Sequence, residues 1–191
     1  MIDDDQIYVV VDIEADGPVP GLYSMLSFGA VAMTKDGEQG TFYKKVTALP
    51  GAVQHPATMQ WWETQPVAWQ EATTNAEDPS LVMDEFCNWL SDLGKNPVFV
   101  AHPVAFDYAF ISWYLWKFAG KNPFVNEKGA SITLDLTSYI SGKYSQSLTK
   151  SMRSNLAEWM KNGMPEHSHN ALDDAKGFAV ILINILRSNK Q

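Results

Sequence analysis

The chain has 191 residues, 46% hydrophobic and 19% charged, the size of one domain with its own core and no room for a second. Twelve glycines and ten prolines exclude collagen-like and low-complexity classes, and the hydrophobic share excludes a disordered chain. A formal net charge of −8 argues at first sight against a nucleic-acid partner, because polyanion binding relies on Lys and Arg.

The N-terminal stretch MIDDDQIYVVVDIEADG opens with three acids, and Asp12 interrupts the apolar run of residues 7–11. A secretory signal needs a basic start and an apolar stretch of about 7–15 residues, so none is expected. No stretch approaches the ~18 apolar residues of a membrane span. The single Cys87 offers neither an internal disulfide nor a thiolate metal cluster, and the expected location is the cytoplasm.

Residues 7–14 (IYVVVDIE) are β-branched and apolar almost to their end, the pattern of a central strand buried on both faces. After a Gly/Pro loop, residues 26–33 read as a second strand, 35–38 as a turn and 41–46 as the return arm of an antiparallel hairpin. Residues 55–72 hold Met59, Trp61, Trp62 and Trp69 among polar residues and read as short helices. Pro79 starts a cleaner helix that Gly94 stops. Residues 97–101 (PVFVA) form a short buried strand and 105–119 a helix striped by Phe106, Phe110, Tyr114 and Phe118. Residues 131–136 are the fifth strand candidate, and helices over 148–161 and 171–187 close the chain. Three sequential strands followed by alternation predict an α/β fold with a mixed five-stranded sheet flanked by helices.

Against this frame, several acids stand where acids are costly. Asp12 and Glu14 are two apart in a strand and point to one face, at the carboxyl end of the central strand where α/β sheets place ligands; a solvated strand end is the plainer reading. Asp174 lies four residues before Phe178 on the apolar stripe Ala171, Phe178, Ile181, Leu182, Ile185, and a buried carboxylate needs a cation, a partner or a proton. Asp173 has a structural explanation, since Asn170 at a helix N-cap with an acid three residues on resembles a capping box. Asp107 opens the Phe110/Tyr114 helix, where an Asp is often only a cap, but it too follows the end of a buried strand. Four acids gathered by the fold would repel one another unless divalent cations sit among them, and an all-oxygen set suits Mg²⁺ or Mn²⁺.

Three motifs, D-I-E near the N-terminus, F-D opening the mid-chain helix and H-N-A-L-D-D-A near the C-terminus, resemble those of the DEDDh 3′→5′ exonucleases, the family of ribonuclease T, oligoribonuclease and the polymerase III proofreading subunit. They occur in the family's order and span nearly the whole chain, with W-W-x-x-Q at Trp61-Trp62 similar to its stand-alone phage and bacterial branch. The resemblance implies a ribonuclease-H-like fold and one exonuclease domain over residues 1–191, in which Asp12, Glu14, Asp107 and Asp174 hold two Mg²⁺ or Mn²⁺ ions and His169 is the general base. A near-neutral imidazole suits proton abstraction, although a lone loop histidine would otherwise read as solvated. The implied activity is release of nucleoside 5′-monophosphates from the 3′ end of single-stranded RNA or DNA; a catalytically inactive nucleic-acid or protein binding module on the same fold is the alternative. A homodimer is one arrangement the resemblance allows.

Departures from the family pattern are local. Ala15-Asp16-Gly17 replaces the common Thr after the motif glutamate, and main-chain groups at Ala15 and Gly17 would lie near the terminal nucleotide. Asp16 would repel phosphate there unless it points away. Trp61 or Trp62 could stack on a base, with core packing as the alternative. His102 matches the His of the H-N-x-x-F-D pattern but is followed by Pro103, and reads as a loop histidine; His167 reads as surface.

Charge is unevenly spread. Residues 1–107 carry four basic and 16 acidic side chains, residues 108–161 seven basic and three acidic, and residues 162–191 three of each. Four of the acids are the proposed ligands, so two divalent ions would bring −8 to about −4. The acidity therefore leaves room for a phosphodiester substrate met through the metals and one basic stretch.

Overall fold

The structure, a computed structural model, describes residues 5–166 and 168–188; His167 lies outside the described residues. Its centre is β1 (Gln6–Ala15), whose Val9, Val10 and Val11 are wholly buried. The strand is the middle of a five-stranded sheet of order β3-β2-β1-β4-β5, in which β2 (Met25–Thr34) and β3 (Gly37–Lys45) run antiparallel and β4 (Asn96–Ala101) and β5 (Thr133–Asp135) run parallel. This is the expected mixed sheet, with the expected β2–β3 hairpin.

Alternation along β1 divides the core in two. Ile7, Val9, Val11 and Ile13 join Phe28, Phe86, Phe99 and Phe110 under α3 (Pro79–Asp92) and α4 (Val104–Tyr114). Tyr8 and Val10 join Val100, Ile140, Phe178 and Leu182 under α5 (Leu136–Lys143) and α7 (Ala171–Arg187). With a side-chain period of two, Asp12 and Glu14 continue the Tyr8/Val10 row and lie on the α7 face. Between β3 and α3, α1 (Pro56–Glu63) and α2 (Pro66–Thr73) form a smaller cluster around Leu26, Trp62, Ala68 and Ala72.

One close approach sets the position of α7. A Cβ on Gly29 would stand 2.3 Å from the Leu172 Cα, so only glycine lets the first turn of α7 rest on the backbone of β2. Gly29 pairs with Asp12 across the β1–β2 ladder, which brings that first turn next to the carboxylates.

The elements differ from the sequence expectation in several places, and the third strand already starts at Gly37, within the expected turn. Residues 148–161 do not form one helix but two 3₁₀ turns (Thr149–Ser151 and Arg153–Asn155) and the four-residue α6 (Glu158–Lys161). Side chains there compete for the helical backbone: Ser151 Oγ donates to the Ser147 carbonyl, Gln146 Nε2 to the Lys150 carbonyl and Asn155 Nδ2 to the Thr149 carbonyl. The helix after β5 is instead α5. Asp135 ends the strand early by capping it, Oδ1 accepting the Ser138 N–H at 2.7 Å. The 105–119 helix is α4 extended by a π-helical turn (Leu115–Ala119) and stopped by Gly120 at φ +65°. Among the described residues no helix is long and apolar enough to cross a membrane.

Candidate active site

The parallel ladder between β1 and β4 ends at the pair Val10–Val100, while β1 runs on for five more residues. Beyond that point Asp107, in the first turn of α4, takes the role of the missing strand: its Oδ1 accepts the Ile13 N–H at 3.1 Å. The bond ties α4 to β1 between Asp12 and Glu14. From the opposite side α7 brings Asp174, 3% exposed, onto the same patch, where Asp107 is 7% exposed. The four acids named from the sequence therefore converge, and the stripe argument for Asp174 as an inward residue agrees with its burial.

Electrostatics reflect the crowding. Burial, followed by the charges of Asp107, Glu14 and Asp174, pushes the Asp12 carboxyl well above the usual carboxylate range, with Arg153 pulling the other way. Glu14 is raised to about 8 by burial and then by Asp174 and Asp107. Burial raises Asp107 to about 7, against the lowering effect of the Ile13 N–H. Acids that raise one another in this way need positive charge to ionise together.

His169 precedes the N-cap of α7 in a left-handed conformation, φ +54°. Asn170 Oδ1 accepts the N–H groups of Leu172 (3.0 Å) and Asp173 (3.3 Å), fixing the start of the helix. Donor atoms of Glu14, His169 and Asp174 lie within 4.8 Å of one another. An oxygen-rich set with one imidazole, in which the acids cannot all ionise unaided, fits a hard divalent cation. Asp173 is structural, though not as a reciprocal capping box: its carboxylate accepts from Ser168 Oγ and meets Lys176 Nζ at 3.8 Å.

The two tryptophans part company. Trp61 is 39% exposed and meets the His169 ring edge-on, with centroids 4.9 Å apart. Trp62 is 2% exposed, and its indole N–H donates to the Ala15 carbonyl at 3.0 Å. Trp62 thus has no open ring face for a base. It belongs to the core, and its hydrogen bond braces the end of β1. Gly17 serves packing directly, since a Cβ would overlap the Tyr23 ring at 2.2 Å. Asp16 points inward, as the phosphate argument requires, with Oδ1 accepting the Ser24 N–H at 2.6 Å.

His102 lies, as expected, outside the strands and helices, in the turn after β4, and it is buried there. It is 8% exposed, its Nε2–H donates to the Ser151 carbonyl at 2.8 Å, and burial lowers its pKa. No motif or spacing in the sequence singles out Arg153, which lies in the second 3₁₀ turn. Its Nη1 lies 3.3 Å from Asp174 Oδ1 and its guanidinium 5.6 Å from the centre of the Phe178 ring. The only sequence trace of it is membership of the basic stretch 108–161. Gly29 was also unforeseen, because a strand glycine names no partner.

The chain is similar to known proteins in sequence and in fold. Residues 7–186 match the family described as 3′-5′ exoribonuclease Rv2179c-like domain. The chain is 32% identical over 178 residues to the 3′-5′ DNA exonuclease Cap18 of Escherichia coli, covering 91% of this chain and 88% of that one. Its fold is similar to the nuclease domain of 3′hExo, a DEDDh family member solved with rAMP, with a TM-score of 0.71 at 14% identity over 96% of this chain and 92% of that one. It is also similar to S. pombe Pop2p in its Mg²⁺ and Mn²⁺ bound form, with a TM-score of 0.65 at 14% identity over 95% and 83%.

Proposed function

Because the chain belongs to the Rv2179c-like 3′-5′ exoribonuclease family, and is thereby a 3′→5′ exonuclease acting on nucleic acid, we propose that it is a divalent-metal-dependent enzyme that releases nucleoside 5′-monophosphates from single-stranded 3′ ends. Asp12, Glu14, Asp107 and Asp174 hold two Mg²⁺ or Mn²⁺ ions in this reading, and His169 is the general base. The observation that carries it is the convergence of Glu14, His169 and Asp174 donor atoms within 4.8 Å, beside Asp12 and Asp107. When bound, such ions supply the charge that activates water and stabilises the departing 3′-oxygen of an in-line displacement.

The protein's own residues do the rest. His169 takes the proton of the attacking water at a ring nitrogen, and its place just outside the capped helix leaves the ring on a loop rather than locked in α7. Trp61 backs the imidazole with its edge-on contact and keeps ring surface open, so a terminal base can stack beside the reacting phosphate. The main chain at Ala15 and Gly17, braced by Trp62 and Tyr23, forms the floor under that nucleotide.

Incubation with 5′-labelled single strands and Mg²⁺ or Mn²⁺ tests the proposal, with matched RNA, DNA and dinucleotide substrates assigning sugar and length preference. The expected result is a ladder that shortens from the 3′ end and vanishes with chelator. No ladder on either sugar with either ion, or a rate indifferent to divalent ions, overturns it and favours a binding module.

A further inference from the structure

Among the described residues, Arg153 brings a cation of the protein's own to the carboxylate cluster. Arg153 Nη1 lies 3.3 Å from Asp174 Oδ1, and the Asp174 side chain it meets is 3% exposed. Arg153 also offsets the mutual repulsion felt by Asp12. The arginine is held there by construction. His102, buried just after β4, donates to the Ser151 carbonyl; Gln146 Nε2 donates to Ser151 Oγ at 3.0 Å; and Asn155 Nδ2 donates to the Thr149 carbonyl at 2.8 Å. These bonds fix the 3₁₀ turns on either side of Met152. The guanidinium then rests over Phe178, one turn of α7 beyond Asp174.

We infer that Arg153 is the resident counter-cation of the metal-free site, holding the Asp174 carboxylate in place until a divalent ion takes over its charge. Metal binding is then an exchange of cations at Asp174 rather than the filling of an open cage. Arg153 is in this sense a positioning residue: it keeps the site assembled without metal and lowers the affinity of the ion that replaces it. The inference rests on the metal-dependent reading above, and extends it to a residue outside the five proposed there.

Calorimetric titration of Mn²⁺ into the metal-free full chain, paired with thermal melts, tests it. Arg153→Met keeps the aliphatic packing on Phe178 but removes the charge. It should melt several degrees lower without metal and bind Mn²⁺ about tenfold more tightly, since the charge that competes with the ion for Asp174 is gone. Arg153→Lys should stay near wild type in both. Unchanged or weaker Mn²⁺ binding by Arg153→Met overturns the inference while leaving the exonuclease reading intact, provided wild type binds Mn²⁺ and cuts. A wild type that binds no Mn²⁺ overturns both.

Discussion

At the residue scale, the site joins two acids with different needs. Asp12 is raised chiefly by burial and by three neighbouring acids, whereas Asp174 has Arg153 against it. The same Asp→Asn change should therefore act in opposite directions. Asp12→Asn should raise the metal-free melting temperature by a few degrees, by relieving repulsion. Asp174→Asn should lower it, because it leaves a guanidinium facing a neutral amide. Differential scanning calorimetry in chelator separates the two, and both variants should lose exonuclease activity. His169→Ala should slow turnover by about 10²–10⁴ with an unchanged melting curve, measured as single-turnover rates at saturating metal; a rate near wild type would remove the histidine from the chemistry.

At the element scale, the placement of α7 depends on Gly29. Gly29→Ala puts a methyl group into the Leu172 backbone, and overpacking of this kind costs about 1–3 kcal/mol. The expected outcome in urea denaturation is a lower midpoint at unchanged slope, accompanied by a loss of activity larger than the loss of stability, since Asp174 and His169 move with the helix. This is also the scale at which the sequence was least readable. The strand of residues 7–14 is legible in its β-branched apolar run and the helix of 171–187 in its period, whose inward stripe exposes Asp174. Residues 148–161 are not, because their apolar spacing passes for a helix while the side chains of Gln146, Ser151 and Asn155 draw the backbone into 3₁₀ turns. Arg153 was invisible for the same reason: its role depends on where a turn points it, and no periodicity encodes that. Trp61 and Trp62, adjacent and chemically alike, could be told apart only by burial.

At the scale of the whole molecule, the net charge of −8 is a property of a site as much as of a surface. In the folded, metal-free protein Glu14 and Asp107 hold their protons up to about 8 and 7, above their ordinary values of 4.5 and 3.8. The folded state thus binds protons that the unfolded chain has released. Their contribution to stability is complete below about pH 4 and lost as pH rises through 7 to 8. The metal-free melting temperature should fall between pH 5.5 and 8.5, and millimolar Mg²⁺ should flatten or reverse that slope by binding the ionised carboxylates; melts across this range with chelator or metal check it. The hydrogen bond from Ile13 N–H to Asp107 has a further consequence in coordination number. It spends part of one Asp107 oxygen on the backbone. In the proposed reaction, an ion beside Asp107 would draw on a carboxylate already shared with the backbone, which leaves room in its shell for water or phosphate oxygens. The substrate would then supply part of the cage that cuts it, and ion occupancy and strand binding would reinforce one another.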